Sequence, residues 1–439
     1  MTNPNPSAGL LERLFKLSEN KTTFRTEILA GLTTFLTMCY IIIVNPLILS
    51  ETGMDHGAVF VATCLAAAIG CLVMGVVANY PIALAPGMGL NAYFTYSVCL
   101  GMGVEWQTAL AAVFVSGLVF IAISMFKIRE AIVNAIPMSL KFEIGGGIGL
   151  FLALVALKNS GIIVANQATL VGLGDLKQPT VLLTLLGFFL IVIMHHYKIR
   201  GAIIISILAI TGIATALGLN EFKGVVGSIP SIAPTFMQMN FENLFTVSLV
   251  GVIFVFFLVD LFDSTGTLVG VSHRAGLLKD GKLPRLKKAL FADSTAIVAG
   301  AALGTSSTTP YIESSAGVAA GGRTGLTAVV VGILFLACLF LAPLAQSVPG
   351  FATAPALLFV GVLMIQGIIN IEWDDITEAV PAFLTIVFMP FAYSIADGIA
   401  MGFISYALVK LFTGKAKTVP YMVWIIAVLW VIKFVAFGG

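Results

Sequence analysis

Two stretches of this sequence keep carboxylates in otherwise apolar chain. One reads Leu258-Val259-Asp260-Leu261-Phe262-Asp263-Ser264-Thr265-Gly266-Thr267. The other reads Gly304-Thr305-Ser306-Ser307-Thr308-Thr309-Pro310-Tyr311-Ile312-Glu313-Ser314-Ser315-Ala316-Gly317. Asp260 and Asp263 are three residues apart, so they share one helical face. Two carboxylates in a medium of low dielectric repel, and such a pair is suited to carrying one proton between them. Glu313 is the fourth residue counting from Pro310, in the middle of its run. A charge at that depth of a membrane costs at least about 2.5–3.5 kcal/mol on insertion scales and marks a pathway or site. Structural alternatives stand beside these readings: an ion pair or hydrogen bond for Glu313, a helix cap for one of the aspartates.

A third stretch, Ala83-Leu84-Ala85-Pro86-Gly87-Met88-Gly89-Leu90-Asn91-Ala92-Tyr93-Phe94, has no charge but breaks its helix. Pro86 cannot donate a backbone hydrogen bond, and Gly87 and Gly89 loosen the chain. Asn91 then falls near the start of a half-helix, where free N–H groups and a positive dipole end face a polar ligand. The alternative is a packing kink with Asn91 as helix glue. Thr37 and Tyr40, on an earlier run, are placed to reach the same cavity. Asn45-Pro46 is read as the end of that helix.

The elements that must position these residues are membrane spans. Of the 439 residues 59% are apolar and 10% charged, with a mean hydropathy of +1.05. Soluble domains carry about 25% charge, and a globule needs a wettable exterior that this composition does not supply. Fourteen apolar runs can be read, from 28–48 to 398–412, and another follows at 420–437, which either crosses or lies on the surface. Runs 83–98 and 308–320 are short and rich in Gly, Pro and small polar residues.

Loop charge tests the count. With the N-terminus cytoplasmic, the inner segments hold Arg13, Lys16, Lys21, Arg25, Lys127, Arg129, Lys141, Lys198, Arg200, Arg274, Lys279, Lys282, Arg285, Lys287, Lys288, Arg323, Lys410, Lys415 and Lys417. These are nineteen of the 23 basic residues, as the positive-inside rule requires. The outer loops hold Lys158, Lys177 and Lys223, and Lys433 lies in the last run. Glu372-Trp373-Asp374-Asp375 is an acidic loop on the inner side.

The two short runs are the third and the tenth. Seven spans separate them, so equivalent spans of the two halves run in opposite directions, the signature of an inverted repeat. Broken helices at matching positions point to a transporter's binding site, because non-helical backbone at membrane depth must be buried or line a cavity. The five cysteines (39, 64, 71, 99 and 338) form no CxxC pair. His56, His195, His196 and His273 fall at span ends without metal-ligand partners. No phosphate-binding loop or hydrolase motif occurs, so neither ATP, a metal nor another cofactor is called for. No signal peptide, soluble domain or nucleic-acid patch is read.

Four segments resemble the AzgA-like purine permeases of the nucleobase–cation symporter (nucleobase–ascorbate transporter) superfamily. They are Gly31-Leu32-Thr33-Thr34-Phe35-Leu36-Thr37-Met38 with Val44-Asn45-Pro46; Ala85 to Ala92; Leu261 to Thr267; and Tyr311 to Gly317 with Gly321-Gly322-Arg323-Thr324-Gly325. The resemblance implies an all-α polytopic protein of 14 transmembrane spans in two inverted seven-span repeats, a uracil-permease-like fold. Spans 3 and 10 would each carry a short strand. A core domain would comprise 1–127 and 241–346, and a gate domain 128–240 and 347–439. Function would be import of adenine, guanine or hypoxanthine by proton symport at the inner membrane, with core moving against gate. A homodimer through gate domains is compatible.

Carried over by motif, Asn91, Asp263 and Glu313 are the substrate residues. The full candidate set adds Asp260, Thr37, Phe262, Gly89, Leu90, Ser314 and Tyr311, with Asp263, Asp260 and Glu313 as proton carriers. A purine presents polar edges and apolar faces, which suits carboxylates, backbone N–H groups and stacking on Phe262, Tyr93, Phe94 or Tyr311. An anion carrier of the same broad fold, of sulfate or bicarbonate type, is the main alternative, and the carboxylates argue against it. A membrane enzyme would need a nucleophile–base pair or metal cluster. A passive channel would show no saturation.

Overall fold

The computed structural model describes residues 9–125, 136–242, 244, 246–277 and 283–437. Lys127, Arg129, Lys279 and Lys282, and the junction between 127 and 128, lie outside them. Among the described residues nine helices are long and apolar enough to cross a membrane, from Phe24–Ser50 to Ile395–Phe412. Shorter apolar helices cover Ala202–Ala216, Ile376–Phe391 and Tyr421–Val435. The chain is a polytopic helical membrane protein. Helix Pro179–His196 shows why water is the wrong solvent. Leu182, Leu186, Phe189 and Ile193 lie on one stripe and are 52%, 50%, 57% and 54% exposed. That stripe would aggregate in water and is an ordinary lipid-facing surface.

Helix starts follow local capping chemistry. Thr23, Asp55, Asp375 and Ser394 each turn a side-chain oxygen onto a backbone N–H of the first turn. Buried Glu27 ties distant elements together. It accepts from Arg323 N (2.9 Å), Thr324 N (3.3 Å) and the Thr327 hydroxyl (2.5 Å) at the start of Gly325–Ala337. Small residues let helices approach closely. A Cβ built on Gly361 meets Gly149 O at 2.6 Å, where Gly350–Ile365 crosses Met138–Asn159. Likewise a Cβ on Gly75 meets Gly325 O at 2.5 Å.

The packing falls into two sets. His56–Val73 packs on Leu286–Leu303 and Gly325–Ala337, and Trp106–Met125 on Leu286–Leu303. Met138–Asn159 packs on Gly350–Ile365 and Ile376–Phe391, which in turn packs on Ile395–Phe412.

Three features differ from the sequence reading. The first helix does not end at Asn45-Pro46. It breaks earlier, at Cys39 and Tyr40, and Pro46 sits inside Ile41–Ser50. Asn45 is buried and its Nδ2 donates to Thr63 Oγ1 (2.7 Å) and Thr305 Oγ1 (2.8 Å), so it is a cross-brace rather than a stop signal. The run read as 245–263 continues as one helix, Val247–Arg274, which puts Asp260 and Asp263 mid-helix and removes any capping role. A second strand pair, Ile163–Asn166 with Leu170–Leu173, forms a hairpin between two helices.

Candidate functional site

The two broken segments meet backbone to backbone. Leu84–Pro86 pairs antiparallel with Thr308–Pro310, in the register Leu84↔Pro310, Ala85↔Thr309 and Pro86↔Thr308. Tyr311 N donates to Ala83 O and Gly87 N to Ser307 O, both at 2.9 Å, which extends the ladder at both ends. Each strand leads into a short helix, Met88–Ala92 and Ser314–Ala319. Prolines stop the helices, and the opposite strand satisfies the backbone groups so freed.

Side chains complete the crossing. The Tyr311 hydroxyl donates to Pro86 O (2.6 Å), and Ser314 Oγ accepts from Ala83 N (3.0 Å). The Ser306 hydroxyl donates to Asn91 Oδ1. Glycine is required here because backbones and side chains come close. A Cβ on Gly87 would meet Thr309 Oγ1 at 2.8 Å, and one on Gly89 would meet Ile148 Cγ2 at 2.8 Å.

Beside the crossing lies a cavity lined by Tyr40, Gly87, Met88, Gly89, Asp263, Thr267, Thr309, Pro310, Tyr311, Ile312, Glu313, Val360 and Met364. Glu313 and Asp263 are both half-buried. The Tyr40 hydroxyl donates to Glu313 Oε1 at 2.9 Å. Thr37 Oγ1 lies 2.7 Å from Thr34 O and 3.5 Å from Glu313 O, so it braces the turn carrying Glu313. Among the described residues no group of three or more His, Cys, Asp or Glu side chains is placed to hold a metal. The arrangement offers two carboxylates, hydroxyls and an aromatic wall to a ligand, with Met88, Val360 and Met364 as apolar surface.

Of the sequence candidates, the structure brings Glu313, Asp263, Gly89, Tyr311 and Tyr40 to this cavity. Asp260 points elsewhere. The Ser264 hydroxyl lies 3.1 Å from Asp260 Oδ1 and 3.0 Å from Asp293 Oδ1, all three buried, so one O–H is shared between two carboxylates. Asn91, Leu90 and Ser314 are buried in the crossing and Phe262 in the apolar core. Phe94 packs near Phe256, and Tyr93 faces a different cavity. Sequence reasoning did not mark Met88, Thr267, Thr309, Val360, Met364 or Asp293. Thr267 was findable, since it follows Asp263 by one helical turn. Val360 and Met364 sit in an ordinary apolar run and carry no signal.

The model of the permease family matches residues 25–401. The chain belongs to the permease family. This permease is 50% identical over 435 residues to the adenine permease AdeP of Escherichia coli (strain K12), covering 99% of this chain and 98% of that protein. It is 48% identical over 437 residues to the guanine/hypoxanthine permease PbuG of Bacillus subtilis (strain 168), covering 97% and 99%. The resemblance to AzgA-like purine permeases is borne out by these relatives.

Two solved structures share the permease's fold. The transmembrane domain of the cyanobacterial bicarbonate transporter BicA superposes with a TM-score of 0.62 at 16% identity, covering 85% of this chain and 97% of that one. SLC26A9 superposes with a TM-score of 0.67 at 11% identity, covering 92% and 69%. At such identities the likeness concerns the fold alone. The family and the relatives are permeases, which are transporters rather than enzymes.

Proposed function

We propose that this permease imports purine nucleobases (adenine, guanine or hypoxanthine) by proton symport across the inner membrane. One observation carries the reading: Glu313 and Asp263 face one cavity beside the crossing of two broken segments, in a chain half identical to an adenine permease. The base lies with its edge on the carboxylates and its face toward Tyr311 or Tyr40. A protonated carboxyl donates to a ring nitrogen and an ionised one accepts a ring N–H. Protonation of Asp263 or Glu313 therefore couples to binding. Asp260, with Ser264 and Asp293, is a reserve site for that proton. Asn91, Leu90, Ser314, Phe262 and Thr37 shape the site from behind.

The proposed architecture has fourteen spans in two inverted repeats, the N-terminus in the cytoplasm, and core (1–127, 241–346) moving against gate (128–240, 347–439). The two packing sets support this division, and Val360 and Met364 bring the gate side to the cavity. A homodimer through gate surfaces fits the same scheme. An anion carrier is disfavoured because no cationic side chain lines the cavity among the described residues.

The test is uptake of labelled hypoxanthine into proteoliposomes with adenine, guanine, xanthine and uracil as competitors, with and without a protonophore. Saturable uptake that purines inhibit and the protonophore abolishes is the expected result. Strong competition by uracil alone would overturn the purine reading. Uptake indifferent to the protonophore would overturn the proton coupling.

A further inference from the structure

A second cavity, of about 350 Å³, lies along the same broken segment. Its walls come from four parts of the fold. Tyr93 and Ser97 belong to the wide π-helical stretch Tyr93–Gly101 that continues the first half-helix. Gly251 lies near the start of Val247–Arg274, the helix that carries Asp263. Tyr393 and Asp397 lie at the turn into Ile395–Phe412, and Lys433 belongs to Tyr421–Phe437. Ser97 of the second cavity follows Gly89 of the first by eight residues along this broken segment.

The wall chemistry selects a ligand class. Ser97 is 6% exposed, and its hydroxyl has no hydrogen-bond partner among the described residues. A buried hydroxyl without a protein partner is uncommon and calls for one in the space it lines. Asp397 and Lys433 are 3.6 Å apart, beyond hydrogen-bond length, so both keep donors and acceptors for a third group. The pair presents both signs of charge, which matches a neutral ligand whose edge both donates and accepts. An anion would meet Asp397, and a cation would meet Lys433.

Tyrosine rings supply the flat surfaces. Tyr393 is held in the left-handed backbone region at φ 53°, rare for a bulky residue, with its ring 6.1 Å from Tyr96 and 5.3 Å from Phe151. The volume falls within the ~300–1,000 Å³ of small-molecule pockets.

We propose that this cavity is a second purine subsite, which holds a base between solvent and the carboxylate cavity. It rests on the purine-transport reading. Gly251 provides the decisive variant, because a Cβ built there meets no atom within 4 Å. Gly251→Leu therefore fills the space without a backbone clash. Purified protein is titrated at equilibrium with tritiated adenine and, in a parallel arm, tritiated hypoxanthine.

The wild type binds two bases per chain, and Gly251→Leu and Glu313→Gln each bind one. In uptake, Gly251→Leu and Ser97→Ala raise the apparent KM roughly fivefold, about one hydrogen bond's worth, with the maximal rate little changed. Ser97→Ala removes only a hydroxyl and stands in if Gly251→Leu does not fold. Wild type binding a single base, or variants with unchanged stoichiometry and KM, would overturn the subsite and leave the transport reading intact. Wild type binding neither base would overturn both.

Discussion

The Tyr40 hydroxyl fixes Glu313 Oε1 at 2.9 Å and does so from a helix break 273 residues away in sequence. Tyr40→Phe removes that donor and keeps the ring. Its apparent KM for the transported purine rises roughly five- to tenfold, the effect of losing one ordinary hydrogen bond. Glu313→Gln keeps the shape and loses the titratable proton and the charge, so the carboxylate cavity no longer holds a purine in equilibrium titrations. Asp263→Asn abolishes gradient-driven uptake. Both carboxylate variants transporting labelled purines like the wild type would show that the site lies elsewhere. At this scale Glu313 and Asp263 were legible because a carboxylate in an apolar run is costly enough to need a reason. Asp260 was ambiguous for a physical reason too. Two aspartates three apart share a face only approximately, and the Val247–Arg274 helix turns one toward the cavity and the other toward Ser264 and Asp293.

Among elements, the antiparallel crossing depends on small residues packed against backbone. A Cβ at Gly317 would meet Ala30 O at 2.6 Å and crowd Thr34 Oγ1 still more. Gly317→Ala therefore destabilises the protein by about 1–3 kcal/mol, the usual cost of overpacking, readable as a lower Tm in detergent. The acidic loop before Ile376–Phe391 behaves differently. Hydrogen bonding from Lys415 (2.7 Å), and then from Thr377 N and its hydroxyl, holds the Asp375 carboxylate below the ordinary aspartate range. A depressed folded pKa gives stability that is present above the unfolded value of ~3.9 and lost as pH falls through the folded one. Asp375→Asn thus shifts Tm by a constant amount between about pH 5 and pH 8, and an offset that changed across that range would contradict this assignment. Broken helices at 83–98 and 308–320 were legible from proline and glycine alone. The Asn45-Pro46 reading failed because Pro46 continues an existing turn while Asn45 finds partners on two other segments, which no local rule can see.

For the whole molecule, the decisive question is which way it faces. All five cysteines are buried, so introduced thiols report cleanly. With the N-terminus cytoplasmic, Thr169→Cys on the hairpin reacts with an impermeant maleimide in intact cells, and Lys417→Cys reacts only after permeabilisation. The reverse pattern would invert the topology. The final helix also gains a place. Lys433 lies 3.6 Å from Asp397, and Trp430 lies 6.3 Å from Phe254. Tyr421–Phe437 therefore runs back along Ile395–Phe412 toward the end where that helix begins, rather than lying apart from the bundle. The sequence by itself determined the solvent, the breaks in two spans and the carboxylates that need explaining, because hydropathy, proline geometry and desolvation act locally. Only the tertiary structure decided which carboxylate faces the cavity, that Thr309, Val360 and Met364 join it, and that a second cavity lies beyond. Those outcomes depend on how segments hundreds of residues apart cross, and no spacing along the chain encodes that.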